Sequence, residues 1–160
     1  MTKPSEFARD LSAQIQTKVA LRQIFNKGVL DRIATETVKA IKADIAAGKS
    51  PIEGKGNFPP YKNPKKYPGK RKPARPVNLF LLGQFQGALR FTTNVTKTAI
   101  SIFYSGRLAE KKEEGHRIGW NKQPKRPSLP KGDEQFNAGI RKKISAMIDD
   151  AVRKASLTWK

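Results

Sequence analysis

Seven prolines fall between residues 51 and 76, in a stretch that reads GKSPIEGKGNFPPYKNPKKYPGKRKPARP from Gly48. Proline fixes φ and removes a backbone donor, so neither a regular helix nor a central strand can run through it. Any core must therefore be built from the residues before and after, with an extended loop or arm over residues 49–76 between them. A loop of this length without regular structure is usually functional or a linker. Between Pro51 and Pro76 it carries eight basic residues against one acidic.

That imbalance is part of a larger one. The 160 residues hold 33 Lys and Arg against 13 Asp and Glu, a formal net charge of +20. Such a chain repels itself and seeks an acidic partner: nucleic acid, an anionic membrane surface or an acidic protein. The length suits one domain, residues 1–160, with extensions. With no cysteine there is neither a disulfide nor a thiolate nucleophile, and a single histidine, His116, argues against an imidazole metal site. No cofactor is expected. No run of about 18 apolar residues is present to span a bilayer. The N-terminal MTKPSEFARDL mixes Glu6 and Asp10 into its apolar positions and does not read as a secretory signal, which predicts a protein made and kept in the cytoplasm of its producing cell.

The first 48 residues predict amphipathic helix. Phe7, Leu11, Ile15 and Val19 fall four apart and continue to Ile24 and Phe25; a second stripe runs Leu30, Ile33, Ala34, Val38, Ile41, Ile45. Gly28 lies between the stripes, so either a new helix begins near Asp31 or one long helix tolerates the glycine at about 1 kcal/mol relative to Ala. Asp10, Asp31, Glu36 and Asp44 are mixed into the polar face, which favours core packing over a one-sided basic membrane-surface helix.

After the arm, the stretch VNLFLLGQFQGAL from Val77 to Leu89 holds an apolar run, Leu79 to Leu82, broken by Gly83. It predicts a core plug followed by a short helix around Gly83 to Ala88. Arg90 to Val95 and Thr98 to Tyr104 are rich in β-branched and aromatic residues and predict an antiparallel hairpin turning at Asn94 to Lys97. Leu108 to Glu114 predicts a helical turn stopped by Gly115. A second basic loop follows within residues 77–131, with seven basic and two acidic residues from Lys111 to Lys131. The last helix is expected over residues 132–155, from about Asp133, with Phe136, Ile140, Ile144, Met147, Ile148, Ala151 and Val152 on one face. Asp133 and Glu134 would complement the dipole at its start, Arg153 and Lys154 at its end. The fold class is thus α+β: N-terminal amphipathic helices, a long basic proline-rich loop, a small antiparallel sheet and a C-terminal helix.

The basic loops are the candidate contact surfaces. Lys62, Lys65, Lys66, Lys70, Arg71, Lys72 and Arg75 from the arm, with Lys122, Lys125 and Arg126 from the second loop, are candidate contacts to acidic neighbours or DNA. Arg126 alternatively orders the turn beside Pro127. Phe58, Tyr61, Tyr67 and Trp120, interleaved with those charges, either stack bases or anchor the loops, to their own domain or to a neighbouring subunit. Glu110, Glu113, Glu114 and His116 can be imagined as an acid–base cluster, but among so many lysines they read as a solvated turn.

Several separated features also fall into a familiar order. Val-Asn-Leu-x-Leu-x-Gly-x-Phe-x-x-Ala-Leu precedes a hairpin ending in Tyr-Ser-Gly, followed by Ala-Glu-Lys-Lys-Glu-Glu-Gly and by Arg-Pro-Ser-Leu ahead of the last helix. In this order the chain resembles the neck and tail-completion proteins of tailed bacteriophages, the group that includes virion-morphogenesis and head–tail joining proteins. Leu79, Leu82, Gly83, Phe85 and Ala88 occupy the places of that family's Leu-x-x-Thr-Gly-x-Leu-x-x-Ser motif, with Leu82 for the usual Thr and Ala88 for the usual Ser. Leu108, Ala109, Lys112 and Gly115 match its Tyr-Ala-x-x-His-x-x-Gly segment, with Lys112 in place of the His. Lys125, Arg126, Pro127, Ser128 and Leu129 match its Ala-Arg-Pro-Phe-Leu segment, with Ser128 in place of the Phe. The resemblance covers roughly Pro51 to the end of the last helix. It implies a non-enzymatic virion protein, a protomer that assembles into a ring, most often a hexamer. The ring joins the tail to the head connector and borders the DNA passage. Its implied partners are further copies of itself, a tail terminator, a connector or stopper protein, and DNA in the lumen, with no membrane. The alternative left open by the charge alone is a nonspecific nucleic-acid-binding protein.

Overall fold

Asn26 divides the N-terminal helical sequence in the computed structural model of the chain. Its backbone is extended and its side chain accepts a hydrogen bond from the Val29 amide at 3.1 Å, which satisfies one of the donors that a helix start leaves without a partner. Helix α1 therefore runs Lys27–Ala46, with Gly28 in its first turn. Neither expected arrangement holds: the break falls at Phe25 and Asn26, after helical residues 19–24.

The structure describes residues 19–60, 77, 79, 84–119 and 124–158. These form an α+β protein: α1, a one-turn helix α2 (Gln84–Gly87), strands β1 (Leu89–Asn94) and β2 (Ala99–Tyr104), helix α3 (Arg107–Ile118) and helix α4 (Ala138–Thr158). No helix among the described residues is long and apolar enough to cross a membrane. The Phe7, Leu11, Ile15 stripe lies outside the described residues.

Helix α1 is the centre of the packing. Leu30, Ile33, Ala34, Thr37, Ala40, Ile41 and Ile45 form its buried face at the three-and-four spacing of one helical side. Thr37 is tolerated there because its hydroxyl donates to the Ile33 carbonyl at 2.7 Å. The hairpin lies across this helix. Its register pairs Leu89 with Tyr104, Phe91 with Ile102 and Thr93 with Ile100, one alternating face, and that face turns toward α1, where the Thr93 hydroxyl donates to the Asp31 carboxylate at 2.7 Å. Each strand lies within one residue of its expected bounds.

Two hydrophobic clusters result. The larger joins Ile41 and Ile45 of α1 to Phe58, Val77, Leu79, Phe85, Leu89, Tyr104, Ala109 and Ile140; the smaller joins Phe25, Leu30, Ile33 and Ala151. Ile144 of α4 packs on both. The expected plug is partly visible. Leu79 is buried with a left-handed φ of 49°, a backbone cost of about 1–2 kcal/mol that burial of a leucine side chain, worth about 1.5–3 kcal/mol, offsets. Leu82 and Gly83 lie outside the described residues.

Four expectations are corrected. Residues 49–60 do not begin an extended arm; they fold back as a docked loop. The Ser50 amide donates to Gly56, the Phe58 amide to Gly48, and Ile52 pairs with Phe136, while Gly54 and Gly56 take the left-handed angles that the reversal needs. Pro51, which has no N–H, contributes only its carbonyl, to the Asn137 amide at 2.8 Å. Helix α3 does not stop at Gly115. It continues to Ile118, with Gly115 buried inside it, and ends at Gly119, whose φ of 78° makes it the left-handed cap.

Helix α4 does not start near Asp133. Pairing with Ile52 holds Phe136 extended, so the helix begins at Ala138, capped by the Asn137 side chain accepting from the Ile140 amide at 3.0 Å. Its first turn thus lacks an acidic residue, and it runs beyond Arg153 and Lys154 to Thr158. Finally, Glu113 and His116 are not on a solvated turn: both face inward from α3, while Glu110 and Glu114 are exposed.

Candidate interaction surface at the root of the basic arm

Arg126 is the residue that joins the two basic loops. It is 3 % exposed. Its Nε donates to the Pro59 carbonyl at 3.0 Å and its Nη2 to the Pro60 carbonyl at 2.9 Å. Both acceptors are carbonyls of prolines in tandem, and the fixed planar fork of a guanidinium suits such a pair. The second loop is thereby pinned to the point where the chain enters Tyr61 and the seven basic residues that follow it. For Arg126 the structural role holds, and its expected direct contact to DNA or a partner is corrected, because the guanidinium is buried inside its own protomer.

Helix α3 holds this clamp in place. The Glu113 carboxylate accepts from the Ser128 amide at 3.0 Å, the Leu129 amide at 3.2 Å and the Ser128 hydroxyl. Since the Ser128 hydrogen goes to the carboxylate, the Tyr104 hydroxyl, 2.9 Å from Ser128 Oγ, is the donor in their bond. Ser50 donates to the Pro127 carbonyl at 3.0 Å, and the Arg126 amide donates to the His116 carbonyl at 2.6 Å. Arg117 adds a bond to the Leu129 carbonyl and a 2.7 Å ion pair with Glu134. The four residues from Arg126 to Leu129 are thus fixed by groups from α3, β2 and the docked loop.

Burial sets the electrostatics. It pushes the Glu113 carboxyl above the ordinary carboxylate range, against the opposing pull of the Ser128 and Leu129 donors and of Arg117. Burial likewise raises the Tyr104 hydroxyl, so it stays a protonated donor. His116, with its Nδ1 buried and without a hydrogen-bond partner and its ring edge-on to Phe85 at 5.0 Å, is held down at about 4 by burial and by Arg126 and Lys112. Phe85 in turn stacks on Tyr104 at 4.3 Å. Ser128 is fully buried and its hydroxyl is committed to Glu113, so this Ser–Glu–Tyr chain cannot present a nucleophile to a substrate. Among the described residues no group of three or more His, Cys, Asp or Glu is placed to hold a metal ion.

Of the remaining candidates, Lys125 is exposed beside the clamp. Lys62, Lys65, Lys66, Lys70, Arg71, Lys72, Arg75, Lys122, Tyr61, Tyr67 and Trp120 lie outside the described residues. Phe58 is corrected as a subunit contact: at 3 % exposure in the larger cluster, it anchors the arm root to its own domain. Among the motif residues, Phe85, Gly115 and Pro127 are buried and Ala88 packs against the larger cluster.

Between the arm root and the second loop lies a cleft of about 450 Å³, walled by Phe58, Pro59 and Pro127 and lined by the charged residues Lys55, Arg117, Lys125 and Glu134. Lys55 was not a candidate from the sequence, where it is one lysine among eight cations in its segment; only the fold-back of residues 49–58 brings it to Lys125. The Glu113 to Arg117 spacing of four was a readable sign of a paired helix face. Comparisons with protein-family models, with characterised proteins and with solved structures find no match to this chain.

Proposed function

We propose that the protein is a structural, ring-forming component of a tailed-phage neck or tail, a virion protein made in the host cytoplasm that works by assembly rather than by catalysis. The observation that carries this reading is the Arg126 clamp, because a buried arginine spanning 66 and 67 residues to Pro60 and Pro59 unites two basic loops at one place. Two basic stretches of sequence joined at one place on the core are what a protomer needs to engage acidic neighbours or DNA in a lumen. The order and spacing of the sequence motifs support the family. The burial of Leu79, Phe85 and Pro127 is in keeping with a structural role for those positions. On this reading the protomers form a homo-oligomeric ring, a hexamer by the resemblance, between the head connector or stopper and the tail terminator.

Mass measurement and negative-stain imaging of the purified chain, alone and with candidate neck and tail proteins, test it. Rings or ring-sized masses are the expected result. A strict monomer at every salt concentration and with every such partner sinks the proposal.

A further inference from the structure

We infer that the cleft between the arm root and the second basic loop seats a phosphate of a nucleic-acid backbone, with Lys55 and Lys125 as the contacting cations. This rests on the reading of the basic face as a contact surface and names what it contacts. Lys55, Arg117 and Lys125 come from three separate segments, so their meeting at one cleft is a product of the fold. Among the described residues one carboxylate lines the cleft, Glu134, and it is already engaged: Arg117 Nη1 donates to it at 2.7 Å and the Lys131 amide at 3.1 Å. Arg117 is thereby taken up in positioning. Lys55 reaches Glu134 only at 3.5 Å while nearly half exposed, and no carboxylate among the described residues pairs with Lys125. Lys125 is thus left without an acidic partner among the described residues, and with three cations against one carboxylate in its described lining the cleft keeps two positive charges in excess for an outside anion to neutralise.

The surroundings favour phosphate over the carboxylates of an acidic protein. The chain leaves the cleft at Pro60 and carries seven basic residues over the next fifteen, with no acidic residue among them. Repeated cations with no acidic residue between them match a polymer with one charge per nucleotide, and lysine ammoniums act on phosphates as point charges. Among the described residues the walls present no exposed aromatic ring, because Phe58 is buried with its ring in the core. The contact is therefore to the backbone and is independent of base sequence.

The test is a titration of the full chain with a fluorescent 20-base-pair duplex across a salt series. It compares wild type, the pair K55Q/K125Q, and a charge-matched pair away from the cleft, K97Q/K143Q. The expected result is about a tenfold loss of affinity for K55Q/K125Q, with a salt slope shallower by about two, and less than a twofold loss for the control pair. Equal losses in the two pairs overturn the cleft. A parallel titration with polyglutamate separates the acidic-protein alternative: if K55Q/K125Q loses affinity for polyglutamate as much as for DNA, the phosphate assignment fails. Mass measurement on the same samples keeps this distinct from the ring. A ring-forming protein whose DNA affinity ignores the two substitutions sinks the cleft alone, and a monomer that shows the expected loss sinks the ring while supporting the cleft.

Discussion

The Nε of Arg126 and the carbonyl of Pro59 meet at 3.0 Å across 67 residues of chain. Two stretches that look like independent floppy loops are therefore one structural unit at their bases. Substituting Arg126 by Lys keeps the charge but removes the fork that reaches both prolines. R126K is expected to lose about 2–4 kcal/mol in urea unfolding, because charged hydrogen bonds are broken and a buried cation is left poorly paired. Trypsin should also cut after Lys55 at least tenfold faster in the variant. Unchanged cleavage at Lys55 would show that the clamp does not hold the arm root.

Glu113 should behave as the organiser of that clamp. A glutamine of the same shape offers one carbonyl oxygen where the carboxylate takes three donors, and its amide group then faces N–H or O–H. E113Q is expected to cost about 2 kcal/mol, and S128A a similar amount, since Tyr104 also loses its acceptor. A double-mutant cycle should give a coupling of at least about 1 kcal/mol. Additivity of the two losses would mean that the bonds between Glu113 and Ser128 contribute little.

The caps give a graded prediction. Asn26 caps α1 with one hydrogen bond, so N26A should cost about 1 kcal/mol. Asn137 caps α4 and also donates to the Asp44 carboxylate at 2.7 Å and to the Ser50 carbonyl at 3.3 Å. N137A should cost about 2–3 kcal/mol, since it also frees the loop at Ser50. Equal thermal shifts for the two variants would contradict the added role of Asn137.

These residues also mark what can be read from the sequence. The buried face of α1, the hairpin and the α+β class follow from local periodicity, which a helix or strand expresses over a few residues, and Leu30, Ile41 and Tyr104 stand where that periodicity puts them. The start of α4 was misplaced because Asp133 and Glu134 carry a valid local signal that a tertiary pairing, Ile52 with Phe136, overrides. The inward turn of Glu113 was hidden for a related reason: its three donors lie 15 and 16 residues away, and lysines surround it in sequence. Phe58 and Tyr61 look alike in composition, and only the fold-back at Gly54 and Gly56 sends Phe58 into the core. The candidate surface was legible as charge, while the Arg126 clamp and the cleft at Lys55 depend on contacts between distant segments.

His116 should make the protein acid-sensitive. Its folded pKa is lowered to about 4 from an ordinary 6.5 by burial and by Arg126 and Lys112, so the unfolded chain binds a proton across this interval and the folded one does not. For a lowered histidine the stability is present above about 6.5 and is lost as pH falls toward 4, which amounts to about 2 kcal/mol between pH 7 and pH 5. Glu113 acts with the opposite sign. Its raised folded value means that its contribution is fully present below the ordinary carboxylate pKa and is lost as pH rises through the folded one. Comparing variants at each pH isolates the histidine: H116Q cannot titrate there but leaves Glu113 in place. Urea unfolding at pH 7 and pH 5 should show wild type losing about 2 kcal/mol more than H116Q over that interval. Parallel pH dependence in the two proteins would mean that His116 is protonated in the folded state at pH 5, contrary to its buried, unpaired Nδ1.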